Sequence, residues 1–276
     1  MRTATLWVIT AALAATGSAA MGGRARAAAA STPVLVELFT SEGCSDCPAA
    51  DAVLERLLAT QPVAGAAIVG LGQHVDYWDR LGWKDRFSSA AFTNRQQTYG
   101  ARFNLESVYT PQIVVDGRAQ LVGSDDGAAR RAIEHAAQSP HGSVQIDVDA
   151  SGAGRPVDGR QRRDPERIAL HVNVEHLPPI GRGDRADVIV AIAEDHLRTD
   201  VRRGENQGRS LTHAAVVRSM TTIGRAAADG PTSASADVPL GDDWQRDRLT
   251  IVAFVQEQRG RTILASASRP LQTGRR

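Results

Sequence analysis

The chain has 276 residues, 42% of them hydrophobic and 23% charged. These are ordinary globular proportions, and they exclude a wholly disordered, collagenous or coiled-coil protein. Its 32 basic and 31 acidic side chains give a net charge of +1 without a long run of either sign, so nothing in them calls for a nucleic-acid or anionic-membrane partner. Only two cysteines are present, which excludes a disulfide scaffold.

Met1-Arg2-Thr3 is a short positive start. An apolar run over residues 4–15 and the small residues Gly17-Ser18-Ala19-Ala20 follow. This pattern predicts a secretory signal peptide within residues 1–30 and a periplasmic or secreted mature protein. The run is shorter than the roughly 20 apolar residues a bilayer span needs, and no other run is long enough. From residue 31, strand-like and helix-like segments alternate. Residues 34–39 and 66–71 read as buried strands, with a helix between them over residues 48–59, where Val53, Leu54, Leu57 and Leu58 share a face. A second helix over residues 88–103 aligns Phe92, Gln96, Tyr99 and Phe103. Strands 113–115 and 119–122 flank an Asp116-Gly117 hairpin turn. Ser124-Asp125-Asp126 opens a helix lined by Ala129, Ile133 and Ala136. Strands alternating with helices predict an α/β domain over residues 31–140.

Beyond Pro140 the period becomes two. Val144, Ile146 and Val148 alternate, as do Ile168, Leu170, Val172 and Val174. Further strands are expected over 186–193, 211–220, 249–256 and 262–267, with Arg259-Gly260 turning between the last two. Residues 152–163 read as a polar surface loop. Many short strands with few helices predict an all-β, sandwich-like domain over residues 141–276.

Cys44-Ser45-Asp46-Cys47 lies directly after the first strand and opens the first helix. N–H groups at a helix N-terminus stabilise a thiolate on Cys44, and Cys47 is placed to resolve a mixed disulfide. A structural staple is the competing reading, but a loop of about 4 residues yields only roughly 1.9 kcal/mol, against about 4.7 for one of 100. A zinc site is another: there is no second cysteine pair, and the finger-spaced His171 and His176 fall on an expected strand. Thr110-Pro111 precedes the strand 113–115, where a proline's missing donor is tolerated. If strand 66–71 runs parallel to 34–39, its exit Gln73-His74-Val75-Asp76-Tyr77-Trp78 lies near Cys44. His74 or Asp76 are then candidates for managing protons, and Tyr77, Trp78 and Trp83 for lining a substrate surface. The alternative is a polar loop histidine with packing aromatics. Residues 76–104 are long for a simple connection and are expected to form a lid or pocket wall. The polar loop 202–209 is either solvated, an anion site or a dock against the first half. Neither a G-x-S-x-G elbow nor a phosphate-binding G-x-x-x-x-G-K-[ST] loop is present.

Residues 34–137 resemble a thioredoxin-like domain. The resemblance implies a cis-proline at Pro111 facing the cysteine pair, with the Thr110-Pro111 backbone left free to pair with a substrate chain. The chain departs from thioredoxin at Gly43, which is not tryptophan, and at Ser45-Asp46, which is not Gly-Pro. Glu42 and Asp46 put two carboxylates near the cysteines and oppose the helix's stabilisation of a thiolate. That favours a reductant or isomerase-like poise over a strong oxidase. The wider pattern runs from Leu38 through Pro48, His74-Val75-Asp76-Tyr77-Trp78, Gly82-Trp83, Asp85 and Thr93-Asn94-Arg95-Gln96. With Arg203-Gly204-Glu205-Asn206-Gln207-Gly208-Arg209 and Val216-Val217-Arg218 it resembles a family of exported bacterial proteins catalogued as a domain of unknown function. The expected activity is thiol–disulfide exchange by Cys44 and Cys47 on a thiol or disulfide protein partner, with Thr110, Pro111, His74, Asp76 and Trp78 on the substrate side. No cofactor and no metal are required. The alternatives are a non-catalytic envelope-binding protein with a structural disulfide, and a thiol protein that captures metal, copper(I) above all.

Overall fold

The computed structural model describes residues 31–149 and 166–271. The expected signal segment 1–30 and the polar loop 152–163 lie outside the described residues. The first half contains β1 (Thr32–Thr40), α1 (Cys47–Thr60), β2 (Ala66–His74), α2 (Ala90–Arg102), β3 (Gln112–Val115), β4 (Ala119–Val122) and α3 (Asp126–Ala137). The second contains β5 (Ser143–Asp149), β6 (Arg167–Glu175), β7 (Ala186–Glu194), β8 (Leu197–Asp200), β9 (Ser210–His213), β10 (Val216–Arg225), β11 (Thr232–Pro239), β12 (Leu249–Glu257) and β13 (Ile263–Pro270).

The fold is mixed α/β and largely β. One eight-stranded sheet, ordered β13-β12-β7-β10-β2-β1-β3-β4, runs through both halves, beside a three-stranded sheet β11-β6-β5 and a β8-β9 pair. β1 pairs parallel with β2, from Thr32 opposite Ala66 to Thr40 opposite His74, and antiparallel with β3. The change of sequence character near residue 140 is therefore not a break in the sheet. The halves meet where Val216 of β10 pairs with Gly72 of β2. There a Cβ on Gly72 would come within 2.9 Å of the Ala214 carbonyl oxygen, so the close approach requires glycine.

Layering explains the hydrophobic patterns. Val34, Val36 and Leu38 of β1 face α1 and α3 and pack on Val53, Leu54, Leu57 and Ile133. Full burial of each such side chain contributes about 1.5–3 kcal/mol. Leu35 faces the other way, into a cluster with Leu71, Phe92 and Phe254. Ile168, Leu170, Val172 and Val174 of β6 face the even-numbered residues of β7, so this strand alternates cleanly. β7 and β12 are covered on both faces and read as continuous apolar runs instead.

Three sequence expectations change. Residues 211–220 form two strands, because Ala215 takes a left-handed φ of 50° and sends the chain from the β8-β9 pair into the large sheet. β8 is short and polar and was not expected. β11 (TSASADVP) carries only Ala234, Ala236 and Val238 on its inward face, too little hydrophobicity to register as a strand.

The interior also holds a polar knot joining the halves. Glu37 of β1 accepts from Arg95 Nε (2.6 Å), Gln73 Nε2 (2.8 Å) and the Tyr99 hydroxyl. Arg95 Nη1 donates to Gln256 Oε1 of β12 (2.8 Å), and Gln256 Nε2 donates to the Tyr99 oxygen (2.8 Å). Burial alone would raise the Glu37 carboxyl, but the Arg95 guanidinium outweighs it and holds the group below its usual range.

Candidate functional site

Cys44 and Cys47 form a disulfide at the start of α1, with their Cα atoms 5.4 Å apart. Pro48 follows in the first turn, where its missing N–H costs little. The Cys47 N–H donates to the Cys44 carbonyl (3.2 Å). Ser45 and Asp46 are exposed, but Cys44 is only 2% exposed and Cys47 is fully buried.

The cover comes from the second half. The β8–β9 connection docks on the cysteine loop through Asn206, itself 0% exposed. Asn206 Nδ2 donates to the Glu42 carbonyl (2.9 Å) and to the Cys44 carbonyl (2.8 Å), 162 residues away in the chain. Arg209 Nη1 holds the Asn206 amide oxygen (2.8 Å), and Glu205 Oε2 accepts the Ser45 N–H (3.0 Å). Gly204, with φ +77°, packs against Trp83, where a Cβ would lie 3.1 Å from that of the tryptophan. Of the readings open for residues 202–209, the structure displays docking.

A buried cluster of ionisable groups adjoins the disulfide. His213, at the end of β9, lies between Glu42 Oε1 (3.4 Å) and Asp51 Oδ2 (3.4 Å). Asp51 sits one helical turn beyond Cys47 on α1, hence on the same face. Burial pushes the His213 imidazole down, but the carboxylates of Asp51 and Glu42 outweigh it and carry it up to about 9. Glu42 also accepts the Trp83 indole N–H (2.7 Å), and its own backbone N–H donates to Asp85 (2.9 Å). His74 Nδ1 lies 2.6 Å from Asp85 Oδ2, and its ring meets that of His213 edge-on, with centroids 4.8 Å apart. Burial alone would raise the Asp85 carboxyl, but the His74 ring and the N–H groups of Glu42 and Phe87 hold it below its usual range. His74 Nε2 and both His213 nitrogens are buried without an aligned hydrogen bond.

The remaining expected site residues gather on the other flank. Trp78 packs against Gly43, where a Cβ would come within 3.1 Å of its own, and its indole N–H donates to Thr110 Oγ1 (2.8 Å). The Thr110–Pro111 peptide is cis. Pro111 approaches α1 near Ala50, since a Cβ on Gly123 would touch both. Asp76 is turned away and accepts from the Thr93 hydroxyl (2.6 Å), tying β2's exit to α2. Tyr77 donates to Gln96 (3.2 Å). Trp78 thus stands beside the cysteine loop at Gly43 and holds Thr110, Pro111 lies near Ala50 of α1, His74 joins the His213 cluster, and Asp76 belongs to the scaffold. Sequence reasoning did not single out Asp51, His213 or the particular role of Asn206. His213 stands alone in its segment, and only the fold brings it to the cysteines. Among the described residues, no cluster of three or more His, Cys, Asp or Glu side chains has the arrangement to hold a metal ion.

Two solved structures share this fold. A crystal structure of an Agrobacterium tumefaciens protein from a structural-genomics consortium superposes with a TM-score of 0.65 at 23% identity, covering 89% of this chain and 97% of that one. HBP35 of Porphyromonas gingivalis superposes with a TM-score of 0.61 at 14% identity, covering 88% of this chain and 76% of that one. No curated protein matches the sequence. Residues 35–256, from β1 to β12 and including every residue of the site above, match the family described as "Protein of unknown function (DUF1223)", and the chain belongs to that family.

Proposed function

We propose that the protein is an exported thiol–disulfide exchanger, with Cys44 as the exchanging sulfur and Cys47 as the resolving one. The observation that carries this reading is the Cys44–Cys47 disulfide at a helix N-terminus, adjoined by a buried His213 between two carboxylates. The four neighbouring strands β2-β1-β3-β4, with helices on both faces, support a thioredoxin-like reading of the first half.

In the reducing direction the Cys44 thiolate attacks a substrate disulfide, that bond breaks, and one substrate sulfur leaves as a thiolate. The Cys47 thiolate then attacks Cys44 Sγ, closing the Cys44–Cys47 disulfide and releasing the second substrate sulfur as a thiolate. Two electrons pass from the cysteines to the substrate, and the two protons they gave up follow to make both substrate thiols. His213 is cationic at neutral pH and favours a thiolate nearby, whereas Glu42, Asp51 and Glu205 oppose it. The balance argues against a strongly stabilised thiolate and for a reductant or isomerase-like poise. Because Cys44 is covered, the Asn206 loop must move before a protein substrate reaches it.

The burial of both cysteines favours one other reading, a permanent staple that fixes the loop on which the second half docks. Equilibrating the pair against glutathione buffers separates the two. A potential between roughly −120 and −270 mV supports exchange, and one below about −300 mV supports the staple. Loss of disulfide turnover in Cys44→Ser is the accompanying expectation, and turnover retained in that variant rejects the exchange role.

A further inference from the structure

At about 4.8 Å per strand, the eight-stranded sheet is roughly 35 Å across. A helix is only about 10–12 Å wide. On the face that α2 covers, a single helix therefore leaves part of the sheet open. Beside α2, over β7 and β10, lies a crevice of about 750 Å³, within the usual range for small-molecule sites. Ile189, Val217 and Met220 form its apolar floor, and Phe87 and Trp244 stand at its sides.

Cations outnumber anions along the lining. Arg86, Arg95, Arg218 and Arg261 face a single lining carboxylate, Asp187. Two of the four are neutralised from behind: Arg95 by Glu37 (2.6 Å), and Arg218 by Glu194 (2.8 Å) and Asp243 (2.9 Å). Arg86 stacks over Phe87 at 4.5 Å and donates to the Arg198 carbonyl (3.2 Å). Arg261 lies over the Tyr99 ring at 5.4 Å, and its Nε is buried with no hydrogen-bond partner. Among the described residues, neither Arg86 nor Arg261 has a carboxylate in ion-pair range. Arg261 is half-buried, and its Nε is a donor withdrawn from water with no acceptor, which is costly unless an acceptor meets it. Burial, and then the charge of Arg95, push the Arg261 guanidinium down, against the weaker upward pull of Tyr99, Glu37 and Asp187.

We propose that this crevice binds a small amphipathic organic anion, with a carboxylate or sulfonate head on Arg261 and an apolar body along Met220 toward Phe87 and Trp244. The inference does not depend on the cysteine chemistry. Phe87 forms the partition: it lines the crevice and packs against His74 (5.3 Å) and His213 (5.9 Å) on the disulfide side.

The test is a fluorescence titration of the full chain with 8-anilinonaphthalene-1-sulfonate, an aromatic sulfonate that brightens in apolar sites. Saturable binding, displaced by decanoate but neither by decanol nor by inorganic phosphate, is expected. Arg261→Gln should weaken it about 10- to 100-fold, the range for one lost charge-assisted hydrogen bond. Met220→Trp, which fills the crevice and keeps every arginine, should abolish it. Both variants are checked for an unchanged cooperative melt. If Arg261→Gln does not fold, Met220→Trp decides alone, and wild-type affinity there overturns the proposal. Equal displacement by decanol, displacement by phosphate, or unsaturable binding overturns it as well.

Discussion

Asn206→Ala is the sharpest probe of how the two halves meet at the cysteines. The side chain is fully buried and donates to two backbone carbonyls, Glu42 (2.9 Å) and Cys44 (2.8 Å). The Cys44 carbonyl keeps a second donor in the Cys47 N–H (3.2 Å), whereas among the described residues Asn206 is the only donor to the Glu42 carbonyl. Two lost bonds at about 1 kcal/mol each, plus about 1 kcal/mol for one carbonyl left without a partner, give a destabilisation of about 3 kcal/mol. For a chain of this size that lowers the melting temperature by about 6–12 °C. The same change loosens the cover over Cys44, so reduction of the disulfide by dithiothreitol should speed up several-fold at temperatures well below the melt. Circular-dichroism melts and timed thiol trapping measure the two effects. A melting shift under about 2 °C would mean that the docking carries little energy. An unchanged reduction rate would mean that this loop does not control access to Cys44.

Other perturbations test the rest of the frame. The His213 pKa is about 9 in the fold against an ordinary value of 6.5, so its contribution is complete below about 6.5 and is lost as pH rises through about 9. Up to about 3 kcal/mol should disappear across that window, and His213→Gln should flatten that part of the stability profile in urea titrations; matching profiles would refute the ion cluster. Glu37→Leu strands the Arg95 guanidinium in the core and should cost about 3–5 kcal/mol by denaturant unfolding, whereas a cost under about 1 kcal/mol would show that water reaches the knot. Gly117 sits at φ +62° in the β3–β4 turn, where an added Cβ would overlap the Arg261 carbonyl oxygen of the β12–β13 turn. Gly117→Ala should therefore lose more than the roughly 1–2 kcal/mol of a left-handed alanine alone, and a smaller loss in thermal unfolding would show that the two turns can separate.

What could be read from the sequence was local. The parallel β1–β2 pair, the three helices and the two hairpin turns follow from periodicity and turn residues, because each signal lies within about ten residues. The turn at Asp116-Gly117 needs two positive φ angles, 48° and 62°, and its residues are those that tolerate them. Cys44, Cys47, Thr110 and Pro111 stand out in the sequence because a strand-to-helix turn and a strand entry announce themselves locally. The join between the halves could not. It depends on one parallel contact at Gly72, on the left-handed Ala215, and on Asn206 reaching across 162 residues, and none of these alters the local pattern around it.

The site's electrostatics show why this long-range join matters. Glu42 and Asp51 come from the first half, next to the cysteines in sequence, and both are buried. Two carboxylates removed from water next to a helix start would be costly without a cation. The first half's nearby histidine, His74, is already engaged with Asp85. The compensating charge is His213, which arrives on β9 only because the β8-β9 pair is carried to α1 by the second half. On this argument the first half alone would hold an uncompensated acidic pair beside Cys44 and Cys47. Cutting the chain near residue 140 should then do more than expose apolar surface on β2: it should disorder the cysteine loop itself. The second half completes the charge balance of the site, supplies its cover through Asn206 and Glu205, and continues the sheet that positions it.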